Sequence, residues 1–204
     1  MSRRLALFFA VIAWFAVVTQ AILMVQNRTA SVPETIARFF SFFTILTNTL
    51  VALFYTTRAA GTSSYNRAGI LTALAVYITI VGLVYQVVLR GIWQPTGMQR
   101  LVDELLHTVN PVLFILYWYL YEKKSEVQYR QIRGWLVYPL LYLVLILFRG
   151  HISGFYPYPF VNVAEIGFGK TMINSLLLML FFILIASGFI AIGKRLPAVI
   201  EKHK

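Results

Sequence analysis

The amino-acid sequence predicts an all-α integral membrane protein, a bundle of six transmembrane helices with both termini in the cytoplasm, and three observations carry that expectation. Of its 204 residues 59% are hydrophobic and 12% charged, with a mean hydropathy of +0.74, which lies outside the range of soluble globular domains. Six apolar runs, at about 5–25, 36–57, 68–89, 101–121, 132–149 and 170–193, approach the roughly 20 residues a helix needs to cross about 30 Å of hydrocarbon. In such a bundle twelve Lys and Arg residues fall on the side of the termini and six on the other, and the positive-inside tendency makes the richer side cytoplasmic.

The first run follows Arg3 and Arg4 as a signal peptide would, but its length and the five later runs make it a retained helix. The second, ARFFSFFTILTNTLVALFY, carries Ser41, Thr44, Thr47, Asn48 and Thr49. At 100° per residue Ser41, Thr44 and Asn48 fall within about 60° of one another, facing away from Phe40, Ile45 and Leu46. Hydrocarbon offers such a stripe no partner, so it is expected to face protein. The third run carries Thr72 towards its inner end and Gln86 towards its outer end. The fourth is the least apolar, with Asp103, Glu104, His107 and Asn110 in its first turns. The longest connection, GHISGFYPYPFVNVAEIGFG from Gly150 to Gly169, lies on the outer side. Its composition fits either a non-helical lid at headgroup level or an aromatic belt of Phe155, Tyr156, Tyr158 and Phe160 that anchors the loop. No internal repeat or long linker interrupts the chain, so 1–204 reads as a single transmembrane domain.

Several function classes are excluded or narrowed. The chain has no cysteine, which removes disulfides, thiolate metal sites and a Cys nucleophile. Its net charge of +11 is spread between apolar runs rather than gathered in a patch, the pattern of topology and not of nucleic-acid binding. No lysine sits mid-helix to hold retinal. His107 and His151 are the only histidines near the membrane, so a haem protein could hold one six-coordinate haem at most. The residues call for no cofactor and no metal. A membrane lipid or lipid ester is the expected partner, and no signal fixes an oligomeric state.

Polar residues within the spans collect in the outer half: Thr19, Gln20, Thr44, Asn48, Gln86, His107, Asn110, Thr171 and Asn174. A polar pocket is expected there. Thr44 and His107 each lie about 9 to 12 Å below the outer surface at 1.5 Å per residue, so their depths match. Asp103, His107 and Asn110 share one helix face, which lets Asp103 fix the imidazole tautomer. Pro111 cannot donate to the carbonyl of His107, so the helix should loosen beside the histidine. A hydroxyl beside a histidine base with an orienting third group is the arrangement used in acyl transfer, with Thr44 as nucleophile, His107 as base, and Asn48 or Asn110 at the oxyanion. Residue type alone leaves Thr47 and Thr49 as rivals, because membrane threonines often bond their own preceding carbonyl. His151 either lines the pocket mouth with Arg149 or is an exposed loop residue, Arg149 can hold an anionic headgroup or carboxylate, and His203 belongs to a solvated tail. The competing readings are a proton-coupled transporter relaying through Asp103, Glu104 and His107, or a non-enzymatic membrane protein.

Three stretches, FFSFFTILTNTLV, ELLHTVNPVLF and RGHISGFYPYPFVNV, in this order on helices two and four and after helix five, resemble the androgen-induced protein family of six-pass membrane proteins, which has many bacterial members. The resemblance spans nearly the whole chain in helix number and spacing, while identical residues concentrate in those stretches. It implies an intramembrane threonine hydrolase that cleaves fatty acid esters of hydroxy fatty acids, with its nucleophile at Thr44 and its histidine at His107. His151 matches a further histidine of the family pattern. For a bacterial member it also implies the inner (plasma) membrane and leaves room for another lipid ester as substrate.

Overall fold

The computed structural model describes residues 3–62 and 67–196. His203 and the rest of the C-terminal tail, with Lys202 and Lys204 of the charge count, lie outside the described residues. Among the described residues the chain is all helix and turn, with no strand. Four helices are long and apolar enough to cross a membrane: Arg3–Gln26, Ile70–Leu89, Tyr129–Ser153 and Phe168–Arg195. A bent pair, Val32–Phe39 with Phe43–Ala60, makes a fifth if taken as one span. The run expected at 101–121 forms continuous helical structure from Gly97 to Tyr121, but Asp103, Glu104, His107 and Asn110 keep it out of this apolar class.

Helix α1 (Arg3–Gln26) presents Ala6, Ala10, Ala13 and Ala16 to the interior, each at most 4% exposed. Small side chains at this spacing let a neighbouring backbone approach closely, and α1 packs chiefly on α3 (Phe43–Ala60). Helix α2 (Val32–Phe39) is capped by Ser31, whose hydroxyl accepts the Glu34 N–H. Helix α4 (Ile70–Val84) is central: 61% of its span is buried, against 17–28% for the other three. Its last turn, Tyr85–Leu89, widens into a π-helix. Helix α5 (Gly97–Glu104) runs through a second π turn, Leu105–Val109, into α6 (Asn110–Tyr121). After two 3₁₀ turns come α7 (Ile132–Trp135) and α8 (Val137–Ser153), then a connection with one 3₁₀ turn, Pro159–Val161. The short α9 (Val163–Ile166) leads into the long α10 (Phe168–Arg195). Leu145, Phe148, Leu176 and Leu184 stand out on the surface, as lipid-facing side chains do. The interior is apolar and aromatic where Phe9, Phe54, Tyr55, Phe114 and Tyr117 meet, and polar at the end of the bundle that holds Thr44.

Two expectations need correction. The second run is not one helix: α2 and α3 meet at a 72° bend across residues 40–42. Neither Gly nor Pro marks that break. Tyr142 of α8 replaces the lost helical hydrogen bonds, donating to the Ser41 carbonyl at 2.7 Å and accepting the Phe43 N–H at 3.2 Å. Ser41 therefore leaves the stripe, its hydroxyl turned back to the Ala37 carbonyl at 2.6 Å, and Ile45 is buried at 3% exposure rather than facing lipid. The connection Gly150–Gly169 is partly helical: α8 continues to Ser153, and α9 and the first residues of α10 fall within it.

Candidate functional site

A cavity of about 500 Å³ opens at one end of the bundle. The ends of α1 and α4, the α2–α3 bend, the start of α5 and the segment Pro157–Pro159 wall it. Thr44, Asp103 and His107 all reach it. Thr44 Oγ1 lies 3.3 Å from His107 Nε2.

The bend explains why this threonine is available. Thr44 is the second residue of α3, so no carbonyl of its own helix stands four residues back to take its hydroxyl. Its rivals are occupied elsewhere. Thr49 bonds the Ile45 carbonyl at 2.8 Å, while Thr47 is fully buried against the Tyr138 hydroxyl at 3.1 Å and lines no cavity wall.

His107 is oriented from three sides. Its Nδ1 donates to the Asp103 carbonyl oxygen at 2.9 Å and lies 3.3 Å from the Asp103 carboxylate, which leaves Nε2 as the acceptor facing Thr44. The other carboxylate oxygen of Asp103 accepts a short hydrogen bond from Tyr85, whose ring also stacks on the imidazole at 4.1 Å between centroids. Tyr85 comes from the π turn that ends α4 and carried no motif of its own in the sequence.

The second π turn positions the histidine along the chain. The Asn110 N–H reaches the Leu105 carbonyl, five residues back. In that register the carbonyl which Pro111 fails to satisfy is that of Leu106, not His107 as an α-helical count gives. Asn48 takes up the Leu106 carbonyl through Nδ2 at 3.2 Å and the Thr44 carbonyl at 2.9 Å, and Asn110 donates to Asn48 Oδ1 at 2.8 Å. Both asparagines are at most 2% exposed and neither lines the cavity. They clamp α3 to the π turn, with the Asn48 amide donors already engaged, so they hold the pair in register instead of contacting an oxyanion.

The remaining candidates separate. Arg149 donates to Glu34 at 2.9 Å, and Glu34 also binds Arg38 at 2.8 Å. Both guanidiniums lie over the Phe155 ring, at 4.7 Å for Arg38 and 5.0 Å for Arg149. Arg149 thus fastens the connection to α2 rather than lining the cavity, whereas Arg28 and Arg38 do line it. His151 is exposed and lines no cavity. Glu104 pairs with Arg90 and accepts from Thr108 on the outer face of its helix.

Sequence reasoning missed one more residue at the centre. Tyr158, from the connection, brings its hydroxyl within 3.4 Å of both Thr44 N and Thr44 Oγ1. A second, apolar cavity of about 80 Å³ between α4, α8 and α10 shares Thr44 and Tyr158 with the first. The aromatic composition of GFYPYPF was the visible signal, but it fits a membrane belt equally well. Comparison of the chain with protein-family models, with curated proteins and with solved structures finds no match.

Proposed function

We propose that the protein is an intramembrane lipid ester hydrolase with Thr44 as nucleophile and His107 as general base. The observation that carries this reading is the 3.3 Å approach of Thr44 Oγ1 to an imidazole nitrogen whose other nitrogen is held by Asp103. His107 Nε2 takes the hydroxyl proton as Oγ1 bonds to the ester carbonyl carbon. The tetrahedral adduct then collapses, the alcohol leaves with the proton from Nε2, and an acyl-threonine remains. Water, deprotonated by the same nitrogen, releases the carboxylic acid and restores Thr44. Placing Thr44 between a large cavity and a small apolar one suits an ester with two arms, and a 500 Å³ cleft is the size of a small-molecule site. The resemblance to the androgen-induced protein family points to the same two residues and to fatty acid esters of hydroxy fatty acids. Under the charge bias both termini are cytoplasmic and the cavity opens to the outer side, in a bacterial inner membrane.

The transporter alternative finds less support. Glu104 is tied to Arg90 and Thr108, away from the pair, and Phe54, Phe114 and Tyr117 fill the bundle beyond it. Purified protein is expected to react with a fluorophosphonate probe and to hydrolyse a branched fatty ester, with both signals lost in Thr44→Ala and His107→Ala and kept in Thr47→Val. Labelling that depends on Thr47 would overturn the nucleophile, and His107-dependent proton flux in liposomes without ester cleavage would make the transporter the better reading.

A further inference from the structure

Because α3 begins at Phe43, the N–H groups of Phe43 and Thr44 point out of the helix, and each meets a tyrosine oxygen: Tyr142 for Phe43 at 3.2 Å and Tyr158 for Thr44 at 3.4 Å. The two tyrosines are held differently. The Tyr142 proton is committed to the Ser41 carbonyl at 2.7 Å. The Tyr158 hydroxyl meets Thr44 N and Oγ1 at 3.4 Å each, the long end of hydrogen bonding, and also lies beside the Tyr142 hydroxyl and the Phe43 N–H. When the Thr44 proton is directed to His107 Nε2, the Thr44–Tyr158 contact has Tyr158 O–H as its donor and Thr44 Oγ1 as its acceptor.

We propose that Tyr158 is a catalytic residue whose O–H, together with the backbone N–H of Thr44, forms the oxyanion hole of this site. The inference rests on the hydrolase reading and adds the group that reading lacks. When Oγ1 bonds to the carbonyl carbon, the π electron pair moves onto the carbonyl oxygen beside it. That oxygen enters where the Thr44 N–H now meets the Tyr158 oxygen, replaces two long contacts, and receives a hydrogen bond from each donor. On collapse the pair returns to the carbonyl. Tyr158 keeps its proton throughout, and burial, which raises its phenol above the ordinary value, favours that form. The donors sit at the positive end of α3, where developing negative charge is stabilised without reorganisation.

The rest of the connection fixes the phenol in place. Its ring stacks on Phe160 at 5.2 Å and meets Phe42 edge-on at 5.9 Å. Asn174 of α10 holds the Phe160 carbonyl at 3.0 Å. Tyr158 also lines both cavities.

The test uses the full-length protein, with p-nitrophenyl decanoate as substrate and active sites titrated by fluorophosphonate. Tyr158→Phe is expected to lower kcat about 10²- to 10³-fold, the usual cost of one oxyanion donor, with KM within about twofold. Affinity for a decyl trifluoromethyl ketone, which forms a tetrahedral adduct on the nucleophile, should fall in proportion to kcat, while affinity for the matching non-hydrolysable ether stays unchanged. Should Tyr158→Phe fail to fold, 2,3-difluorotyrosine at position 158 keeps the shape and must still shift kcat several-fold. A kcat within threefold of wild type, or equal losses for ketone and ether, overturns the assignment. Hydrolysis that survives in Thr44→Ala instead overturns the nucleophile, and the oxyanion hole with it.

Discussion

At the scale of single residues, the site depends on what each polar atom is left free to do. Ser41, Thr47, Thr49 and Thr44 lie within nine positions of one another, and three of them have their hydroxyls engaged elsewhere. Only Thr44 faces both a cavity and an imidazole. Depth and resemblance pointed to Thr44, but residue type alone left Thr47 and Thr49 as rivals, because separating them requires knowing which carbonyls stay within reach. Tyr85 is the strongest residue-scale handle on His107, binding Asp103 and stacking on the ring. Tyr85→Phe removes a hydrogen bond to a carboxylate while keeping the stack. If about 1.5 kcal/mol of such a bond supports the aligned imidazole, kcat should fall roughly tenfold. Steady-state hydrolysis checks this, and a lower Tm with kcat unchanged would assign Tyr85 a purely structural role.

At the scale of elements, three departures from ideal helix build the site: the α2–α3 bend and two π turns. The bend exposes the Thr44 N–H and hydroxyl. The π turn after α5 passes an unpaired carbonyl to Asn48, and the one after α4 brings Tyr85 against Asp103. Pro111 announced the π turn after α5, though in a register wrong by one residue. The connection that carries Tyr158 has its own close fit, because a Cβ on Gly150 would lie 2.1 Å from the Tyr156 ring. At that distance either the Tyr156 ring or the backbone must shift. Gly150→Ala should therefore displace the connection, lowering hydrolysis at least tenfold and Tm by a few degrees, as read by activity and thermal scans. Wild-type activity in that variant would show that the connection does not need this contact to place Tyr158.

At the scale of the whole molecule, the topology is open to direct test because the chain has no cysteine. Ser125 and Ser153 are both exposed, Ser125 between α6 and α7 and Ser153 at the cavity end of α8. In intact cells Ser153→Cys should react with a membrane-impermeant maleimide, and Ser125→Cys only after permeabilisation. The opposite pattern would invert the orientation and turn the cavity towards the cytoplasm. The membrane class, the helical architecture and the matched depth of Thr44 and His107 follow from the sequence alone, because hydropathy and helical rise act within a single segment. Which hydroxyl is free, that α2 and α3 part at residues 40–42, and that Tyr85 and Tyr158 meet the pair were decided only by the tertiary structure. These turn on contacts between residues 18 to 114 positions apart, as when Tyr142 satisfies the broken end of α3, and no local pattern encodes where such a partner will stand.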